Sequence, residues 1–197
     1  MIHATKSKIH WNYFIALEQD LEVVSRYIEF SEHNFSVYSI ELARLLFAAA
    51  SEVDVMAKLL CKRFQPTTSL DNINEYRGVL LDKLPGLPTI EVSITRYGLS
   101  FKPWENWQQS NNRNPLWWGS YNKVKHQRDT HFNKATLKNA LNALGALLVL
   151  VYCYYSYELA PSNGKRLSPK DTMQKLEPES TLLKLPKGYY RGHLLLE

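Results

Sequence analysis

The segment 117–132, WWGSYNKVKHQRDTHF, gathers aromatic rings, amides, imidazoles and cations into sixteen positions. Read as a helix, it places Asn122 four residues before His126 and His126 three before Asp129. The three side chains then share one polar face, with Lys125 at its edge. Lys123, Lys125 and Arg128 add three cations within two turns. An imidazole takes and gives protons near neutrality, and a neighbouring cation stabilises charge growing on a phosphate. That pair suits cleavage of RNA by its own 2′-hydroxyl, which must lose a proton while the 5′-leaving oxygen gains one. No metal or cofactor is needed. A purely structural reading stands beside this one: His126 pairs with Asp129 on a solvated face, and Asn122 caps or packs.

Other site chemistries find less support. His10 and Trp11 open a helix and read as structural, and His33 closes one, where a cation meets the helix dipole. His131 lies five residues from His126, off its face, so a two-histidine metal site on one helix is not expected. The chain has no phosphate-cradling glycine loop, nucleophile elbow or Cys/His zinc spacing. Cys61 and Cys153 fit no metal or redox spacing; they suit a reducing compartment and buried positions. Trp104, Trp107, Trp117 and Trp118 could stack on bases or anchor a loop insert.

Charge is uneven. Residues 1–100 hold ten Lys/Arg and twelve Asp/Glu, a balance of −2; residues 101–197 hold fourteen and seven, a balance of +7. A basic half points to an anionic partner such as RNA or DNA, or to a solubilising surface with a basic tail. The 197 residues are 45% apolar and 22% charged, which excludes disordered, collagen-like and coiled-coil classes.

The elements that must position the 117–132 segment are helices. Residues 11–33 carry Trp11, Phe14, Ile15, Leu17, Leu21, Val24, Tyr27 and Ile28 at helical steps, with Glu18, Glu22, Arg26 and Glu29 on the other side. Residues 38–64 carry a stripe of Leu42, Leu45, Leu46, Ala49, Val53, Met56 and Leu60, with Glu41 and Glu52 at its border. The insert 66–115 is broken by prolines and glycines. It holds a short helix over 71–83, a strand over 89–97, a hairpin return over 99–104 and a polar loop at 108–114. A third long helix is predicted over 117–132 and a fourth over 134–159. The uncharged run 139–157 reads as a core helix and not a membrane anchor, because its fully apolar part, 143–151, falls short of the ~20 residues a span needs.

The sequence therefore predicts an all-α, up-down bundle of four to five helices over 1–160. A small β-hairpin/loop insert interrupts it, and an extended C-terminal arm over 161–197 follows, docked through Leu182, Leu183, Leu185, Tyr189, Tyr190 and residues 194–196. Whether that arm folds back or reaches a neighbour is open. The N-terminal stretch lacks the apolar core of a secretory signal, so a cytoplasmic protein is expected.

The bundle, the acidic positions of its second helix and Tyr121-Asn122-x3-His126 opening a late helix resemble the HEPN domains. That resemblance implies a helical bundle that dimerises. It also implies a metal-independent ribonuclease or RNA-binding protein of bacterial defence or toxin–antitoxin systems, with RNA, a second copy and an antitoxin or other protein as partners, and no membrane. Asn122 and His126 match the family's polar residue and histidine. Tyr121 stands where the family has Arg, and Tyr offers one neutral hydrogen bond in place of a cationic fork. Lys125 or Arg128 could supply that charge, and Glu41 or Glu52 could face the same site. The catalytic expectation rests on His126 for proton transfer and Asn122 as its orienter, with Lys123, Lys125 and Arg128 on phosphate. The alternative is a non-catalytic dimerisation or interaction module.

Overall fold

The computed structural model describes residues 6–108, 113–161 and 165–190. Among these residues the fold is mostly helical, with one two-stranded hairpin. Its elements are α1 (Ile9–Val24), α2 (Ile40–Phe64), α3 (Ile73–Lys83), β1 (Val92–Ile94), β2 (Leu99–Phe101), α4 (Leu116–His126), α5 (Arg128–His131), α6 (Leu137–Glu158) and α7 (Pro169–Lys175).

Helices α2 and α6 form the central pair. Each starts on a side-chain cap that satisfies an otherwise orphaned N–H: Ser39 accepts from Leu42 N–H at 3.1 Å, and Thr136 accepts from Asn139 N–H at 3.3 Å. The residues just before them are joined by a β-bridge between Tyr38 and Thr136. Their last turns are joined by the Arg63 guanidinium, which donates to the Tyr157 carbonyl at 3.1 Å. The two helices therefore run parallel. Helix α1 runs against them, because His10 meets Glu52 and Asp20 meets Arg44. Helix α4 also runs against α2: Tyr121 packs on Phe47, and Val124 packs with Ala43. Helices α1 and α4 thus run one way and α2 and α6 the other.

The predicted α2 stripe, from Leu42 to Leu60, is wholly buried. Helix α6 is long and apolar enough to cross a membrane, yet 83% of its most apolar window is buried inside the fold, as a core helix requires. The hairpin insert lies across α6 at Gly145. A Cβ built there would come within 2.6 Å of the Phe101 ring, so glycine lets the insert lie close on the helix with that ring in place.

Several boundaries differ from the sequence expectation. The first helix ends at Val24, not near residue 33, and Tyr27, counted in its apolar stripe, is 84% exposed. Beyond Val24 the segment has too few core-facing residues to keep a helix against α2. The strand is confined to Val92–Ile94 because residues 95–97 form a 3-10 turn into Gly98, whose φ of +63° suits glycine. The return strand is correspondingly short, Leu99–Phe101. The last long helix starts at Leu137, where Thr136 caps it, and not at 134. Residues 109–112 of the predicted loop and 194–196 of the arm lie outside the described residues.

The C-terminal arm folds back on its own bundle and is not wholly extended. Ser168 caps α7, whose Met173 joins the core with Leu176. The arm then crosses α1, where Trp11 Nε1 donates to the Pro178 carbonyl at 2.9 Å. Glu18, placed by the sequence on the outer face of its helix, is only 2% exposed. Its carboxylate accepts from the backbone N–H groups of Thr181, Leu182 and Leu183 at 3.0, 3.0 and 2.7 Å, and from the Ser180 hydroxyl at 2.5 Å. Next, Lys184 pairs with Ser93 through two 2.8 Å backbone bonds, adding a bridge to the hairpin. Leu182, Leu183 and Leu185 are buried.

Candidate nucleic-acid interface

Helix α4 buries Trp117, Trp118, Tyr121 and Val124, spaced as one face of a helix. Trp117 Nε1 donates to the Pro103 carbonyl at 2.9 Å, which fixes the helix to the insert. Rings of Trp104, Trp107, Trp117, Trp118 and Tyr121 touch in series, with centroids 4.4–5.8 Å apart, and the series ends on Phe47 of α2. All four of these tryptophans are buried. They anchor the insert and are not presented for base stacking.

Tyr121 is 8% exposed and belongs to the core. Two cations sit on this aromatic pair from different segments. Lys125 Nζ lies 5.5 Å from the Tyr121 ring centre, and the Arg128 guanidinium carbon lies 5.0 Å from that of Phe47. Cation–π attraction holds both heads near the end of α4 while leaving the residues exposed.

The opposite side of the helix faces solvent. Asn122 is half-buried, and Lys123 and His126 are exposed. Asn122 and His126 lie about 40° apart around the axis by helical spacing, with Lys123 roughly 60° beyond His126. Among the described residues the His126 side chain makes no hydrogen bond or ion pair.

Asp129 does not complete the face. Helix α4 stops at His126, and Gln127 leaves the helical region with φ −142° and ψ 53°. The Gln127 N–H closes α4 on the Lys123 carbonyl at 2.8 Å, and the Gln127 carbonyl starts the short α5 by accepting from His131 N–H at 2.9 Å. The predicted continuous helix over 117–132 is thus two pieces. Residues 125–130 are all exposed, so no buried stripe rewards helix continuation there. The proposed His126–Asp129 pair is absent among the described residues.

The acidic residues of α2 also point elsewhere. Glu41 accepts from Arg44 at 2.8 Å, and Arg44 bridges on to Asp20 at 2.9 Å. Glu52 takes His10 Nδ1 at 2.6 Å, and the edge of Tyr154 meets the same imidazole at 5.6 Å between ring centres. This half-buried His10–Glu52 pair is the contact that sequence spacing could not find, since 42 residues separate its members. It orients an imidazole, but chiefly it ties α1 to α2. Among the described residues no group of three or more His, Cys, Asp or Glu is placed to hold a metal ion.

Between residues 116 and 138 the chain carries Lys123, Lys125, Arg128, Lys134 and Lys138 against Asp129 alone. The stretch of chain that makes the end of α4 and the turn after it is therefore strongly basic, and His126 within it is exposed. Cations also suit a helix C-terminus, where they offset the dipole.

No family model, curated protein or solved structure matches the chain.

Proposed function

We propose that this chain is a HEPN-like RNA-binding protein whose contact surface is the end of α4 and the turn that follows. Lys123, Lys125 and Arg128 would meet the phosphate backbone. The observation that carries the reading is the exposed His126, unpaired among the described residues, within a stretch of five cations and one acid. Phosphate contacts supply most sequence-independent affinity for nucleic acid. The bacterial defence or toxin–antitoxin setting, a cytoplasmic location and a homodimer or antitoxin partner belong to the same proposal.

Cleavage is the stronger form of this proposal. There His126 takes the proton from a 2′-hydroxyl as that oxygen bonds to phosphorus. The 5′-oxygen leaves taking a proton from water, and a 2′,3′-cyclic phosphate remains. Asn122, one turn earlier, orients the substrate or the ring, and Lys125 or Arg128 bears on the growing phosphate charge.

The burial of Tyr121 favours a second reading. The ring at the family's Arg position is packed between Trp118 and Phe47, and a tyrosine brings no positive charge to a phosphate. A binding module without catalysis needs only the cations.

Incubation of a labelled single-stranded RNA with the purified protein in a chelator separates these readings. Cleavage that His126→Ala abolishes, with binding retained, supports the ribonuclease. Binding without cleavage supports the module. Neither binding nor cleavage rejects RNA as the partner.

A further inference from the structure

A second site lies away from α4. The turn after α3, the C-terminal half of α6 and the C-terminal arm border a half-open cleft of about 570 Å³. That volume falls within the ~300–1,000 Å³ typical of small-molecule sites.

Its lining is chemically one-sided. Among the described residues the charged ones lining it are Lys83 and Arg166, with no Asp or Glu. Lys83 is engaged by Asp82 at 2.9 Å, whereas Arg166, which is exposed at the rim, has no ion-pair partner among the described residues. Tyr152, Tyr157 and Tyr189 contribute phenols. The Tyr152 and Tyr189 rings pack at 4.9 Å, and neither hydroxyl has a hydrogen-bond partner among the described residues. Burial raises the pKa of both phenols, so they stand as neutral donors. Leucine, isoleucine and proline side chains complete the walls.

An uncompensated guanidinium and two spare phenol donors beside apolar walls fit an oxyanion carried on an apolar body. Arginine recognises carboxylate and phosphate alike through its planar fork. We propose that this cleft binds a small organic anion, a carboxylate or phosphate monoester borne on a flat ring, with Arg166 on the anionic head and Tyr152 and Tyr189 donating beside it. The site is independent of the α4 surface. It exists because the arm folds back, since Arg166 and Tyr189 come from the arm and Tyr152 from α6.

Calorimetric titration of the full chain with benzoate, phenyl phosphate, benzyl alcohol and inorganic phosphate tests the proposal, with melting curves as a check on folding. Saturable binding of benzoate or phenyl phosphate identifies the head group. Benzyl alcohol, which lacks the charge, and inorganic phosphate, which lacks the ring, should bind at least about tenfold more weakly. Arg166→Gln should lose about tenfold in affinity for the anion that binds. Tyr152→Phe should weaken it by a smaller factor with melting unchanged. No binding of either ring-bearing anion overturns the proposal. So does equal binding of benzyl alcohol, equal binding of inorganic phosphate, or unchanged affinity in both variants.

Discussion

The carboxylate of Glu18 accepts a 2.7 Å hydrogen bond from the backbone N–H of Leu183, across 165 residues of chain. The same carboxylate takes two further backbone donors and the Ser180 hydroxyl. Each of these groups is costly to bury without a partner. Glu18→Ala removes the acceptor for all of them at once and should destabilise the fold by about 3 kcal/mol or more. Chemical denaturation measures that loss. Amide hydrogen exchange should locate it first in residues 180–185, and unchanged exchange there would show that the arm is held by its leucines alone.

Gly145 predicts a size limit on α6. Alanine improves helix propensity by up to ~1 kcal/mol. At this position, however, its Cβ meets the Phe101 ring at 2.6 Å, and overpacking costs ~1–3 kcal/mol. Gly145→Ala should therefore lower the melting temperature, and Phe101→Leu in the same chain should recover part of the loss. A more stable Gly145→Ala protein would mean that the insert does not press on α6.

The protein should weaken in alkali. Burial pushes the Cys61 thiol from 9.0 to about 11 and the Cys153 thiol from 9.0 to about 12. It also pushes the Tyr190 phenol from 10.0 to about 12. The folded chain keeps these protons where the unfolded chain has released them. Stability from the neutral groups is thus complete below about pH 9 and falls as the pH rises toward 12. Melting temperatures across pH 8–11 test this. Cys61→Ala with Cys153→Ala should flatten the decline, and an unchanged slope would assign it to other groups.

The pattern of what was legible follows distance along the chain. The stripes of α2 and α6 were readable because both helices face the core over most of their length, so periodicity alone exposes them. The exposed position of His126 was readable for the same reason: Tyr121 and Val124 fix which side of α4 is buried. The break at Gln127 was not, because no proline or glycine marks it and only the absence of packing beyond it ends the helix. Glu18 looked like an outward-facing acid because the arm that covers it lies more than 160 residues later. His10 and Glu52 were hidden by the same kind of separation. Tyr121 was legible as a departure from the HEPN pattern, but its burial against Phe47 emerged only from the packing of α4 on α2.

The most direct test of an RNA surface at the end of α4 is the salt dependence of single-stranded RNA affinity. Wild-type protein is compared with the triple variant Lys123→Gln, Lys125→Gln, Arg128→Gln, each checked for an unchanged melting curve. Each lost phosphate contact removes roughly 0.7 from the slope of log affinity against log salt, so the triple variant should lose about 2. Its affinity at low salt should fall at least about tenfold. Equal affinities and equal slopes would contradict an RNA surface at this end of α4.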